Sequence, residues 1–246
     1  MSANLPIDRL LQTLRVHAPG VTDALLQLET FNVLDEFFSR TSAWREFSES
    51  TLRTDTLDYD LDVPAGARVV RILAVLHNGI PVPSAQGDGI TSSSLGTLLP
   101  ELTFPDGDAE FAFAESDIVG GSGPFSYAIY VPDYITVTIP PTNEQTQFPL
   151  RVLMALSVSK DNLEQDPGDW ALPDWMYDMF FQDWLDGVLG KLYAMPGKPW
   201  SNKELTLLHG RKFRQAMASR KQEANRGFTY GQPGWRFPRS GGWVRR

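Results

Sequence analysis

Histidine is the commonest general base and metal ligand, so the three histidines are the first residues to test for chemistry. His17, His77 and His209 each stand alone, with no second histidine or carboxylate at a metal-binding spacing that fits the expected local structure. We expect His17 at a helix end, His77 in a turn and His209 on a surface helix. The sequence therefore predicts three ordinary histidines rather than a catalytic or metal centre.

Two glycine-rich segments, at residues 87–89 and 120–123, are candidates for a phosphate-binding loop. A phosphate loop needs a lysine after its glycines and a strand-then-helix context, and both segments lack them. The chain also has no Gly-x-Ser-x-Gly motif for a nucleophilic serine. It has no cysteine, which excludes thiolate chemistry, disulfides and zinc sites with cysteine ligands.

Acidic residues cluster at three places: Asp55 to Asp62, residues 106–108 and residues 161–169. None has the spacing of a twelve-residue calcium loop with its terminal glutamate, so the pattern favours a solvated or partner-facing acidic surface. The chain offers many carboxylate pairs of the kind that glycosidases use, and nothing distinguishes one of them. We therefore predict no enzyme, no cofactor and no metal.

Charge is distributed very unevenly along the chain. Residues 203–246 hold 11 Lys/Arg and 2 Asp/Glu, which is net +9. The preceding 202 residues hold the other 11 Lys/Arg and 28 Asp/Glu, which is net −17 and completes the overall −8. An acidic body thus carries a basic end.

The last twenty residues, 227–246, are too rich in glycine and proline for a helix or strand, yet they keep five aromatic side chains. A merely solvated tail would be poor in aromatics. We predict an extended arm that docks on a partner, either an acidic groove of a protein or a nucleic acid; the acidic body disfavours the nucleic acid. The predicted contact residues are Phe228, Tyr230, Trp235, Arg236, Phe237, Arg239, Trp243, Arg245 and Arg246.

The elements that would position this arm follow from periodicity. Two N-terminal helices are predicted, the second capped by Thr22 or Asp23 and running to about Arg40. Alternating and β-rich segments then predict strands at residues 52–63, 68–76, 110–114, 125–131, 134–139 and 148–157. Two further helices are predicted, one after Pro173 and one starting at a Ser201-x-x-Glu204 capping box and running to about Arg226.

The predicted fold class is α+β, with a four-helix core, an inserted antiparallel sheet or sandwich, and an extended C-terminal arm. We assign residues 1–50 and 161–226 to the two halves of the helical core, 51–160 to the β domain and 227–246 to the arm. The β domain would project from the helices as an excursion. The apolar runs are shorter than the roughly 18 residues that a membrane helix needs, and the N-terminus has no secretion-signal pattern.

Two helical segments resemble the head-to-tail adaptor proteins of short-tailed bacteriophages. Residues 28–44 resemble the early adaptor helix, in which a Glu-Phe pair is followed by a threonine and a tryptophan. Residues 172–201 are similar to a second hallmark, a helix that ends in a Met-Pro-Gly-Lys-Pro-Trp turn. The resemblance covers roughly 100 residues, and its motif residues here are Trp44, Trp175, Trp184, Met195, Pro196 and Trp200.

The resemblance implies a virion structural protein at the head–tail interface, present in the host cytoplasm during assembly. About twelve copies would form a ring beneath the portal, extend the DNA channel for genome ejection and receive the nozzle or tail-fibre proteins. The C-terminal arm would fasten the ring to the portal, and genomic DNA would pass without sequence-specific binding. Another tail component, such as a nozzle, stopper or tail-completion protein, and a nucleic-acid-binding protein that uses the arm stay open as alternatives.

Overall fold

A computed structural model of the chain describes residues 4–82, 84, 126–131, 134–138, 141–164 and 171–226. The described part contains four α-helices and antiparallel β-sheets, which confirms the predicted α+β class. The helices are α1 (Asp8–His17), α2 (Asp23–Thr41), α3 (Asp174–Tyr193) and α4 (Lys203–Asn225).

Nine strands form three sheets in the described part. They are β1 (Asn4–Pro6), β2 (Arg45–Ser50), β3 (Asp58–Asp60), β4 (Ala67–His77), β5 (Ile80–Pro81), β6 (Tyr127–Val131), β7 (Tyr134–Val137), β8 (Leu150–Val158) and β9 (Ala171–Pro173). The largest sheet has the order β2-β8-β4-β5, the second has the order β3-β7-β6, and β1 pairs with β9. The turn predicted at His77 is confirmed at Asn78 and Gly79, with φ 51° and 75°, whereas His77 itself is the last residue of β4 and pairs with Ile80.

The helices pack around an aromatic centre on α2. The ring of Phe37 lies 5.2 Å from Phe180, 6.2 Å from Trp184 and 6.3 Å from Phe213, measured between ring centroids. These partners come from α3 and α4, so one α2 side chain joins three helices. Such ring pairs add to the free energy of apolar burial, which is the main term that stabilises the helical core.

The same apolar cluster continues from the helices into the sheet. Buried Val152, Met154 and Leu156 of β8 belong to it together with the Phe37 group, because α2 packs along β8. The sheet therefore rests on the helices along the length of its central strand. The residue boundaries assigned to the separate domains stay a prediction.

Several local expectations were wrong. The strand β2 lies within residues 1–50 and was missed, because Arg45–Ser50 carries only one large apolar side chain, Phe47. The strand expected at residues 52–63 is confined to Asp58–Asp60, although Tyr59 and Leu61 are buried as the alternation predicts. Short segments such as β1 and β9 carry no periodic signal and were missed as well.

The cap of α4 also differs from the prediction. Asn202, not Ser201, is the N-cap residue, and its Oδ1 accepts hydrogen bonds from the backbone N–H groups of Glu204 and Leu205 at 3.0 and 3.1 Å. Asparagine and serine are nearly equal as caps, so residue type alone does not distinguish Ser201 from Asn202. The apolar spacing of the last two helices also predicts inward positions for Trp175, Met179 and Leu208. This prediction is wrong, because the three side chains are exposed by 37, 36 and 49%.

Candidate assembly surface

The predicted contact residues of the arm lie outside the described residues, so their role stays a prediction. They are Phe228, Tyr230, Trp235, Arg236, Phe237, Arg239, Trp243, Arg245 and Arg246. The glycine-rich segments and the acidic residues 106–108 also lie outside, as does the strand expected at residues 110–114. The surface from which the arm leaves, at the end of α4, is described.

Two tryptophans of the adaptor-like motif belong to the core. Trp184 is fully buried, with its ring 5.8 Å from Phe38 and 5.5 Å from Tyr177. Trp44 is 3% exposed and donates its indole N–H to Glu46 Oε1 at 2.8 Å. These side chains stabilise the fold and are not free to contact a partner.

The Met-Pro-Gly-Lys-Pro-Trp turn fastens the two helical hairpins together. The ring of Trp200 lies beside Gly20, in the turn between α1 and α2. A Cβ atom added to Gly20 would lie 4.0 Å from Trp200 Cζ3. Tyr193 at the end of α3 donates its hydroxyl to the backbone carbonyl of His17 at 3.1 Å, and it accepts at its own carbonyl from the N–H of Asn202. The motif thus has a structural role, while Pro196 is exposed and Met195 is half-buried.

Glycines let α3 and α4 approach closely. A Cβ atom on Gly190 would lie 3.1 Å from the backbone nitrogen of Gly210, which is tighter than ordinary contact. A Cβ atom on Gly187 would lie 2.6 Å from Val33 Cγ1 and 2.9 Å from the ring of Phe213. Neither position accepts a larger residue unless its neighbours move.

A buried polar pair joins α3 and α4, and the sequence does not predict it. His209 Nδ1 lies 2.6 Å from Asp186 Oδ1, and the two side chains are 16% and 8% exposed. An ionised carboxylate only accepts, so the imidazole N–H donates. The expectation that His209 stands alone on a surface was wrong, because its partner lies 23 residues away on another helix.

His77 is likewise buried, at the end of β4, and its Nε2 lies 2.8 Å from the carbonyl of Gln145.

One arginine of α4 is fully engaged with α3 and its own helix. Arg220 donates to Asp183 Oδ2 at 2.9 Å, to Glu223 Oε2 at 2.8 Å and to the carbonyl of Met179 at 3.0 Å. Burial alone would lower its pKa, but the hydrogen bonds and charges of Glu223 and Asp183 outweigh burial and raise it. Arg220 is therefore a structural cation.

Along one flank of α4, in contrast to Arg220, the cations are exposed and form no ion pair in the described part of the chain. Lys203, Leu207, Arg211, Arg214 and Lys221 follow the helical period, lie on one side of the helix and are exposed, Leu207 by 64%. Within the described residues, none of the four cations forms an ion pair. We name these five residues the basic flank. The basic flank runs along α4 to the last turns of the helix, and the basic residues 227–246 follow the helix in the sequence.

Two features of the described residues and two comparisons with known proteins bear on chemistry and identity. Among the described residues, no group of three or more His, Asp or Glu side chains is arranged to hold a metal ion. No helix in the described ranges combines the length and hydropathy needed to cross a membrane. No protein-family model matches the chain, and no curated protein matches it as a relative.

Proposed function

We propose that the chain is a virion structural protein, a subunit of the adaptor ring that joins the portal of a short-tailed bacteriophage to its tail. In this role about twelve copies form the ring and extend the DNA channel. The portal, the neighbouring subunits and the next tail protein, a nozzle or a fibre, are its partners.

The basic flank is the observation that carries the proposal. None of its four cations forms an ion pair among the described residues, and the sequence continues from α4 into the basic, aromatic residues 227–246. An exposed apolar side chain, Leu207, lies among the cations. Unpaired charges with an apolar residue between them are typical of a surface that orients an acidic partner by charge and then buries apolar area.

The position of the adaptor-like motif supports the same function. Tyr193 and the 195–200 turn that follows it contact the end of α1 and the turn after it, so they connect the two helical hairpins. A ring subunit needs its helices connected in this way, because the contacts on its two sides must keep a fixed angle for the ring to close. The arm is then a separate fastening device, and repetition around the ring adds avidity without new contacts.

The test is binding to portal rings purified from the same virus. We expect a chain that ends at Arg226 to lose binding by about tenfold or more relative to the full chain, measured by co-sedimentation, because the aromatic anchors and charges are removed together. Unchanged binding by the shortened chain would refute the role of the arm. A matched control is Arg53→Gln, which removes an exposed cation far from α4 in sequence and should leave binding unchanged.

A nucleic-acid-binding protein is the second candidate, and the unpaired cations of the basic flank favour it. It requires affinity for DNA that falls steeply as salt is raised. The adaptor proposal expects no stable DNA complex, because the body of the chain is acidic and repels a polyanion. A gel-shift titration at low salt separates the two candidates.

A further inference from the structure

A second cationic site lies where α4 ends beside the largest sheet. A cleft of about 300 Å³ is lined there by Thr41, Ser42, Arg45, Arg71, Lys221 and Asn225. The first four belong to the end of α2 and to β2 and β4, and the last two belong to the last turns of α4. Three elements that are distant in sequence therefore bring three cations to one concave surface, which we name the basic cleft.

The sheet register places the two arginines together. Arg45 of β2 and Arg71 of β4 both lie opposite Ala155 of the central strand β8, so their side chains leave the same face of the sheet. Ser42 holds both of them. Its carbonyl accepts from Arg45 Nε at 2.9 Å and its hydroxyl accepts from Arg71 Nη2 at 2.7 Å. Ser42 itself is the C-cap residue of α2 and is in the left-handed region at φ 52°.

No carboxylate in the described residues pairs with Arg45, Arg71 or Lys221. Burial, followed by the nearby charge of Arg71, lowers the pKa of Arg45. Like charges held together in a partly buried position raise the free energy of the subunit, and a bound anion relieves this repulsion. The cleft is thus ready for a negatively charged group.

A complementary surface exists at another place on the same chain. Asp58, Asp60 and Asp62 alternate along the edge strand β3 and its continuation, and all three are exposed. No cation pairs with them in the described part of the chain; Asp58 accepts a hydrogen bond from Thr136 Oγ1 at 2.6 Å. Carboxylates repeated at every second residue of a strand point the same way and repel one another. We name them the aspartate row.

The basic cleft and the aspartate row do not meet within one subunit. The row is attached to the far end of β2, where Ser48 Oγ accepts from the N–H of Asp62 at 2.8 Å and Ser50 donates to the carbonyl of Asp60 at 3.2 Å. The cleft lies at the near end, beside Arg45. Three residues of extended strand, about 10 Å, separate Arg45 from Ser48, and five residues, about 17 Å, separate it from Ser50. Among the described residues, no ion pair joins the aspartate row to Arg45, Arg71 or Lys221.

We propose that the basic cleft of one subunit binds the aspartate row of a second copy of this chain. Different patches on the two copies then meet, which is the head-to-tail arrangement that closes rings. The inference rests on the proposed ring function and adds which surfaces join neighbours. Two guanidinium groups and an ammonium group match several carboxylates on one strand, and each contact satisfies charges that are unpaired in the single subunit.

The test is zero-length cross-linking of the full chain with a carbodiimide, which joins an amine only to a carboxylate that touches it. An equal mixture of ¹⁴N and ¹⁵N chains is cross-linked at high protein concentration, digested with trypsin and analysed by mass spectrometry. We expect Lys221 to be joined to the tryptic peptide 54–68, which contains the aspartate row, in light–heavy hybrid pairs that only contact between copies produces.

Substitutions complete the test. The double variant Arg45→Gln, Arg71→Gln should reduce the hybrid cross-link by about tenfold, because two of the three cations are gone while Lys221 is retained. Lys198→Gln, which removes an exposed cation in the turn before α4 and leaves the peptide 54–68 intact, should leave it unchanged, and thermal melting of both variants checks that they fold. Three results would overturn the inference: no cross-link between Lys221 and peptide 54–68, pairs confined to one isotope, or a yield that ignores Arg45 and Arg71. Portal binding is measured separately, so a failure here leaves the adaptor proposal standing on its own test.

Discussion

The two sides of α4 carry cations in opposite conditions. On one side Arg220 is hydrogen-bonded to Asp183 and Glu223, and its pKa is raised. On the other side Lys221 shares the basic cleft with Arg45 and Arg71, no counter-charge is present among the described residues, and the pKa of Arg45 is lowered. Adjacent residues of one helix thus differ in their contacts. Arg220 connects α4 to α3, whereas Lys221 forms no ion pair with the described residues.

The largest effect is expected in the aromatic core beneath Arg220. Trp184→Ala should reduce the free energy of unfolding by about 3–5 kcal/mol, because it removes a fully buried ring and leaves a cavity. Trp175→Ala on the same helix is the matched control, since Trp175 is 37% exposed, and should cost less than about 1 kcal/mol. Denaturant unfolding measures both. Equal losses would contradict the core assignment of Trp184.

The second-largest effect tests the comparison between the two sides of α4 directly. Arg220→Gln should destabilise the protein by about 1–3 kcal/mol, because it leaves the partly buried carboxylate of Asp183 without its partner. Arg45→Gln should change the free energy of unfolding by less than about 1 kcal/mol, because the lost hydrogen bond to the Ser42 carbonyl is offset by the removed repulsion from Arg71. Urea titration at low salt measures both variants. A larger loss for Arg45→Gln than for Arg220→Gln would reverse the assignment of the two sides.

A smaller effect concerns the start of the helix that carries both sides. Asn202→Ala should cost about 1 kcal/mol, because the first turn of α4 loses the acceptor for two backbone N–H groups. Ser201→Ala is the neighbouring control and should change stability by less than about 0.5 kcal/mol. Thermal melting distinguishes them, and the opposite order would restore Ser201 as the cap.

The smallest effect concerns salt. Added salt screens like-charge repulsion, so it should raise the stability of wild type slightly relative to the Arg45→Gln variant, by about 0.5 kcal/mol or less. Melting curves at low and high ionic strength measure the difference between the two chains. An identical salt response would show that the repulsion between Arg45 and Arg71 does not affect the stability of the folded state.

The periodic elements could be predicted from the sequence, but the sites could not. Helix α2 and the buried face of α3 follow from apolar spacing, since residues such as Phe37 and Phe180 repeat with the helical period. The strand β2 has no such pattern and exists because β8 pairs with it. Its register alone sets Arg45 beside Arg71, and the packing of α3 on α4 sets Asp186 beside His209. Contacts between distant residues depend on tertiary pairing, which one sequence does not reveal.

The most direct test of the account is an electron-microscopy image of portal rings mixed with the full chain. The account predicts an added ring of density on one face of the portal, with the rotational symmetry of about twelve subunits, that is lost when the chain ends at Arg226. Portal rings that look the same with and without the full chain would contradict the central claim.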